Sequence, residues 1–300
     1  MRYLVVRTEN LTKQYGRRQA LLNLTLEVEP GEIYGILGPK GAGKSTFIQI
    51  LMDLVRPTQG QALVLGMNCQ QQGLQVRQKV GYLPENLQIS KSMTGEQWIQ
   101  SLARLRHAVD MSLVRSLASR FELDLSQSIR SYSASERKKL GILQAMMHQP
   151  ELLIFDEPCS GLDRKTQNVF FQLINEVRAE GRTVILASDS LTDMERVCDR
   201  VAVLYKGQLV AIERGVQLRA RALRVIEMRF ATAVNREVFA GMPNLNDLVL
   251  EDNKVRCTVQ GDPDALIKVA SKYRLMDIIS QQPTLEEVYR QFYGIGSYAG

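Results

Sequence analysis

The chain has 300 residues, 45% of them apolar and 23% charged, with a formal net charge of +6, an ordinary soluble composition with room for one large domain and one small one. No apolar run approaches the roughly 20 residues that span a bilayer, and the segment behind Met1-Arg2-Tyr3 is too short for a signal peptide, so the chain is expected to stay in the cytoplasm. Basic residues fall in short pairs such as Arg17-Arg18 and Lys138-Lys139, with no long basic run or aromatic-interleaved patch, so a solvated surface and no nucleic-acid partner are expected. Cys69, Cys159, Cys198 and Cys257 lie too far apart for a zinc site or a disulfide framework.

From the N-terminus, residues 3–29 alternate as strands do, and Pro30-Gly31 turns the chain. Tyr15 stands in polar surroundings between the strands. It either finishes a strand edge or offers a flat ring on which an adenine stacks. Glu32-Ile33-Tyr34-Gly35-Ile36-Leu37 reads as a buried strand, and Thr46-Phe47-Ile48-Gln49-Ile50-Leu51-Met52 as the first turns of a helix. Between them runs Gly38-Pro39-Lys40-Gly41-Ala42-Gly43-Lys44-Ser45-Thr46, which fits the phosphate-loop pattern of Gly, any four residues, then Gly-Lys-Ser. A loop so placed turns successive backbone N–H groups, and the positive end of the helix dipole, toward one concave spot. Lys44 is expected to reach the β- and γ-phosphates and the Ser45 hydroxyl to bind Mg²⁺. Strand, loop and helix together predict nucleotide binding.

Residues 62–66 and 80–85 are short strand candidates. Residues 94–149 read as a helical insert, because Trp98, Ile99, Leu102 and Leu105, then Met111, Val114, Leu117, Ala118 and Phe121, recur at spacings of three and four. The last of its helices covers 133–149, before Pro150. Glu151-Leu152-Leu153-Ile154-Phe155-Asp156-Glu157-Pro158 is an apolar strand that closes on two carboxylates, at the edge where α/β sheets bind ligands. Asp156 can hold Mg²⁺ and Glu157 can accept a proton from an attacking water. Helix 164–180, strand 183–187, helix 190–197 and strands 200–205 and 208–210 complete a mostly parallel sheet with helices on both faces. Beyond 215–222 the pattern changes to strand 223–230, helix 233–240, strands 246–251 and 254–260, helix 263–272, strand 275–280 and helix 284–292. That order fits a small α+β ferredoxin-like domain, without a catalytic constellation and with a regulatory or dimerising role.

Taken together, the motifs resemble the nucleotide-binding subunit of an ATP-binding cassette (ABC) transporter over residues 3–215. The matching pieces are Tyr15 as the adenine-stacking residue, the Walker A loop 38–46, and the Q-loop region Gly81-Tyr82-Leu83-Pro84-Glu85. They continue with the signature position Tyr132-Ser133-Ala134-Ser135-Glu136, the Walker B strand 152–157, and the D-loop Ser160-Gly161-Leu162-Asp163. The resemblance implies an α/β P-loop NTPase core over 1–216, with its helical insert at about 90–149, and an accessory domain over 217–300. It also implies ATP and Mg²⁺, with Glu85 beside Ser45 and Asp156 at the metal. Two such subunits would pair head to tail, so that Ser133, Ala134, Ser135 and Glu136 meet the partner's nucleotide. The C-terminal part, with Pro283-Thr284-Leu285-Glu286-Glu287-Val288-Tyr289, is similar to the branch that pairs with separate ABC-2-type permeases. The implied place is the inner face of the cell membrane.

Two departures from the family pattern bear on turnover. Ser135 stands where glycine is usual, at a cost of about 1–2 kcal/mol if the position takes a positive φ, and Glu136 stands in place of glutamine. Asp189, in Ala187-Ser188-Asp189-Ser190, occupies the place of the switch histidine, where a carboxylate repels the γ-phosphate. The expected function is an export ATPase slowed by Asp189 and Ser135. The alternative is a degenerate nucleotide-sensing subunit that binds ATP and gates or scaffolds a membrane complex without efficient hydrolysis.

Overall fold

A computed structural model describes residues 3–106, 109–215, 223–239, 241–242 and 244–281. It divides into two compact units, Met1–Gly215 and Val216–Gly300. In the first, β1 (Val6–Tyr15) and β2 (Arg18–Val28) lead to β3 (Ile33–Leu37), helix α1 (Lys44–Leu51), β4 (Gln59–Val64), β5 (Met67–Asn68), α2 (Gly73–Lys79) and β6 (Val80–Leu83). Helices α3 (Gly95–Ala103), α4 (Met111–Arg120) and α5 (Ala134–Met146) follow. Then come β7 (Leu152–Asp156), α6 (Arg164–Ala179), β8 (Thr183–Ser188), α7 (Leu191–Val197), β9 (Arg200–Tyr205) and β10 (Gln208–Arg214).

Every residue of β3, β7 and β8 is buried. Their apolar runs, interrupted only by Gly35 and by polar residues at the ends of β7 and β8, suit the middle of a sheet covered on both faces. The main sheet has the order β10-β9-β3-β8-β7-β6, parallel except for β10 at its edge. A second, antiparallel sheet has the order β2-β1-β4-β5. Phe47, Ile48, Ile50 and Leu51 of α1 are buried in the core that joins the two sheets. Burial of this α1 face fixes the start of the helix, and with it the phosphate loop.

The helical insert is locally encoded. Thr94 and Gln97 form a capping box at the start of α3, and Ser133 and Glu136 form another at the start of α5. In the second, Ser133 Oγ accepts from the Glu136 amide at 3.2 Å and Glu136 Oε2 accepts from the Ser133 amide at 2.7 Å, the reciprocal arrangement expected of Ser-x-x-Glu. The Ser133→Ala variant is expected to lose about 1 kcal/mol of stability, read as a lower urea midpoint. Helix α5 lies on β6 with no room between them: a Cβ on Gly81 would stand 2.1 Å from the Ala145 carbonyl oxygen, and one on Gly141 2.6 Å from Leu83.

The C-terminal unit carries β11 (Leu223–Phe230), β12 (Leu245–Glu251), β13 (Lys254–Gln260), helix Asp264–Ala270 and β14 (Leu275–Gln281). Its antiparallel sheet has the order β12-β13-β11-β14, over a core that includes Ile226, Met228, Phe230, Cys257 and Leu266. The expected helix 233–240 is corrected to a single 3-10 turn, Arg236–Val238. Asn235 caps the turn, its Oδ1 accepting from the Glu237 amide at 3.4 Å, and Gly241 follows at φ +83°, a left-handed conformation that ends a helix. The expected helix 284–292 lies outside the described residues.

Candidate functional site

The phosphate loop opens into a cradle at the C-terminal edge of the main sheet. Tyr15, Arg18, the loop residues 39–46, Gln49, Glu85 and Glu157 line it. Gly43 sits at φ +107°, and a Cβ there would lie 2.6 Å from the Ala20 carbonyl oxygen. Conformation and space both require glycine at that point. Lys44, 6% exposed, donates from Nζ to the Gly38 carbonyl at 2.7 Å and pairs with Glu157 Oε1 at 3.1 Å.

Glu157 follows β7 directly and has φ +49°. Its amide donates to the Ala187 carbonyl at 2.9 Å. Burial pushes its carboxyl above the usual range, Lys44 opposes that shift, and the charges of Asp189 and Asp156 add to it. Asp156 is 2% exposed. Burial raises its carboxyl too, against a hydrogen bond from Ser45 and the charges of Lys44 and Lys138. Its Oδ1 is buried without a hydrogen-bond partner. A buried carboxylate oxygen left open beside a serine hydroxyl fits a hard divalent cation held through oxygen ligands.

Tyr15 is 44% exposed at the mouth of the cradle, with Lys13 Nζ 4.8 Å from its ring centroid. Asp189 is exposed just past β8, beside the cradle rather than on its lining. Its neighbour Ser190 caps α7, accepting from the Asp193 amide at 3.2 Å. The D-loop residue Asp163 caps α6, with Oδ1 accepting from the Thr166 amide at 2.9 Å and Oδ2 from the Thr166 hydroxyl at 3.0 Å.

The signature residues Ser133, Ala134, Ser135 and Glu136 form the first turn of α5 and its cap, away from this chain's own cradle. Ser135 lies within the helix and is not one of the residues with positive φ. The strain expected for a non-glycine residue there is therefore absent, because the capping box starts the helix one residue earlier. Glu136 is drawn below the usual carboxylate range, first by the backbone hydrogen bond from Ser133.

Two residues at the site were not singled out from the sequence. Arg18 faces Tyr15 across the β1–β2 pair, and its guanidinium lies 3.6 Å from where a Gly41 Cβ would stand. Lys138 of α5 donates from Nζ to the Glu157 carbonyl at 3.0 Å and to the Glu85 carbonyl at 3.3 Å. The available signal for Lys138 was its spacing: Lys138, Gly141 and Ala145 share one helical stripe, and the two small residues face β6.

A model of the ABC transporter family matches residues 21–160. The chain is 31% identical to the bacitracin transport ATP-binding protein BcrA of Enterococcus faecalis over 256 residues, which cover 84% of this chain and 83% of that one. Among solved structures, it matches an ATP-binding subunit of an ABC transporter at 27% identity and TM-score 0.66, over 70% of this chain and 90% of that one. It shares the fold of a bacterial ABC transporter cassette solved as a dimer, at 23% identity and TM-score 0.64, over 70% of this chain and 98% of that one. No helix among the described residues is long and apolar enough to cross a membrane. With a P-loop NTPase core, a phosphate loop facing two strand-end carboxylates, and this identity across most of both chains, the chain belongs to the ATP-binding proteins of ABC transporters and is their ATPase subunit.

Proposed function

We propose that this subunit drives export through a separate ABC-2-type permease on the inner face of the membrane, working as one of a pair of nucleotide-binding subunits. The observation that carries the reading is a cradle lined by Lys44, Ser45 and Glu157, with Asp156 buried against Ser45 and one of its carboxylate oxygens left without a partner. ATP would place its adenine on Tyr15 and its phosphates over the backbone N–H groups of 39–46. Ser45 and Asp156, with Glu85 at the rim, would hold Mg²⁺, whose charge offsets that of the β- and γ-phosphates. Lys44 would turn from Glu157 to the phosphates, and Glu157 would accept the proton of the attacking water. Ser133, Ala134, Ser135 and Glu136 of each subunit would face the other's nucleotide, with Asp163 close by. The bacitracin-transport relative supports the transport reading, and the permease would choose the cargo. Strand order and antiparallel pairing in the C-terminal unit support a ferredoxin-like module with a regulatory or dimerising role.

Steady-state MgATP hydrolysis by the full chain, alone and with its permease, tests this reading against Glu157→Gln as the blank. Turnover above the blank is expected, and turnover no higher than it would instead favour a nucleotide-sensing subunit. One observation favours that second reading: the charge of Asp189 acts on Glu157 and raises its proton affinity. Asp189→His is therefore expected to raise kcat and to move the acid limb of its pH profile downward, since a repelling charge is removed from the base. An unchanged profile would clear Asp189 of limiting the reaction.

A further inference from the structure

We infer that Lys138 is a positioning residue, which holds the backbone of both Glu157 and Glu85 and ties their placement to the helix that carries the signature residues. The inference rests on reading Glu157 and Glu85 as groups of the ATP site.

Three observations converge on it. Glu157 is a non-glycine residue at φ +49°, a conformation that costs of order 1–3 kcal/mol and persists only where its surroundings over-determine it. Its amide is fixed by the Ala187 carbonyl at 2.9 Å. Its own carbonyl is fixed from the opposite side by Lys138 Nζ at 3.0 Å and by the Ser160 amide at 3.4 Å. Lys138 is thus the side chain that closes this strained turn from outside the loop.

The same ammonium reaches the Glu85 carbonyl at 3.3 Å, so one cation joins the segment after β6 to the segment after β7. Finally, Lys138 lies just over one turn beyond Ser133 and Ala134 on α5. A tilt of the first turn of α5 is carried by this short link to the two loops that present Glu85 and Glu157.

Lys138→Met keeps the aliphatic stem and removes the donors. In the full chain it is expected to lower kcat for MgATP by roughly 10- to 100-fold, the scale of loss for a misplaced catalytic group, with the Kd for ATP little changed. Lys138→Arg, which retains donors, is expected to recover most of the turnover. In nucleotide-free protein, amide hydrogen exchange across 157–160, including Ser160, is expected to be faster in Lys138→Met than in the parent.

Equal turnover and equal exchange in Lys138→Met and the parent would overturn the inference. So would an arginine variant as impaired as the methionine one, or a loss of ATP affinity as large as the loss of kcat. Should the parent hydrolyse ATP no faster than Glu157→Gln, it is the reading of Glu157 as the base that fails, and the exchange measurement alone decides Lys138.

Discussion

Replacing Lys44 with alanine is expected to weaken MgATP binding by more than about 100-fold, because hydrogen bonds to charged groups contribute roughly 1.5–3 kcal/mol each and Lys44 would supply two phosphates. The loss has a second component that the pairing around Lys44 makes visible. Lys44 Nζ lies 3.1 Å from Glu157 Oε1, in a pair whose side chains are 6% and 12% exposed. Removing one member of a pair this buried leaves the other charge uncompensated. Lys44 is also what opposes the burial-driven rise in the Glu157 proton affinity. The alanine variant is therefore expected to bind ATP poorly at neutral pH and, without nucleotide, to take up a proton at Glu157 at higher pH than the parent does. Isothermal titration with ATP and a pH titration followed by carboxylate NMR shifts would measure the two components. Parent-like affinity would refute the phosphate-loop assignment.

Replacing Glu157 with glutamine is expected to lower kcat by roughly 10²- to 10⁴-fold, the usual contribution of a positioned general base, while ATP still binds. Shape and backbone contacts are retained: the amide bond to Ala187 and the carbonyl bonds from Lys138 and Ser160 do not depend on the side chain. Glutamine also has no charge to pair with Lys44, so the lysine is freed for the phosphates. ATP affinity is expected to hold or rise as turnover falls. A single-turnover experiment with trapped nucleotide separates the two effects, and turnover equal to the parent's would move the base to another group.

What could be read from the sequence was whatever lies in one contiguous stretch. The phosphate loop is such a stretch. Its glycines, Lys44 and Ser45 take their places from local geometry, held by a buried strand on one side and the buried face of α1 on the other. Asp156 and Glu157 were legible for a similar reason, as the polar end of an apolar strand. Lys138 was not, because its role depends on two carbonyls 53 and 19 residues away in the chain. Ser135 was misjudged for strain, because the helix that contains it begins at a capping box formed by its own neighbours. Residues 233–240 show the opposite failing: their composition allowed a helix, but among the described residues only the turn Arg236–Val238 forms, with Gly241 at positive φ close behind it.

The seating of α5 on β6 has a mechanical consequence. Where helix and strand usually meet, interleaved side chains can change rotamer and absorb part of a displacement. Here, Gly81 and Gly141 bring backbone against backbone and side-chain tips, with clearances that leave no space for a methyl group. Protein interiors of this density are barely compressible. A push on the outer end of α5 therefore arrives at β6, and at Glu85 just beyond it, with almost none of its amplitude lost. The joint behaves as a stiff coupling and not as a spring, so a Gly81→Ala or Gly141→Ala change would alter the stroke delivered to the nucleotide as well as the stability of the fold.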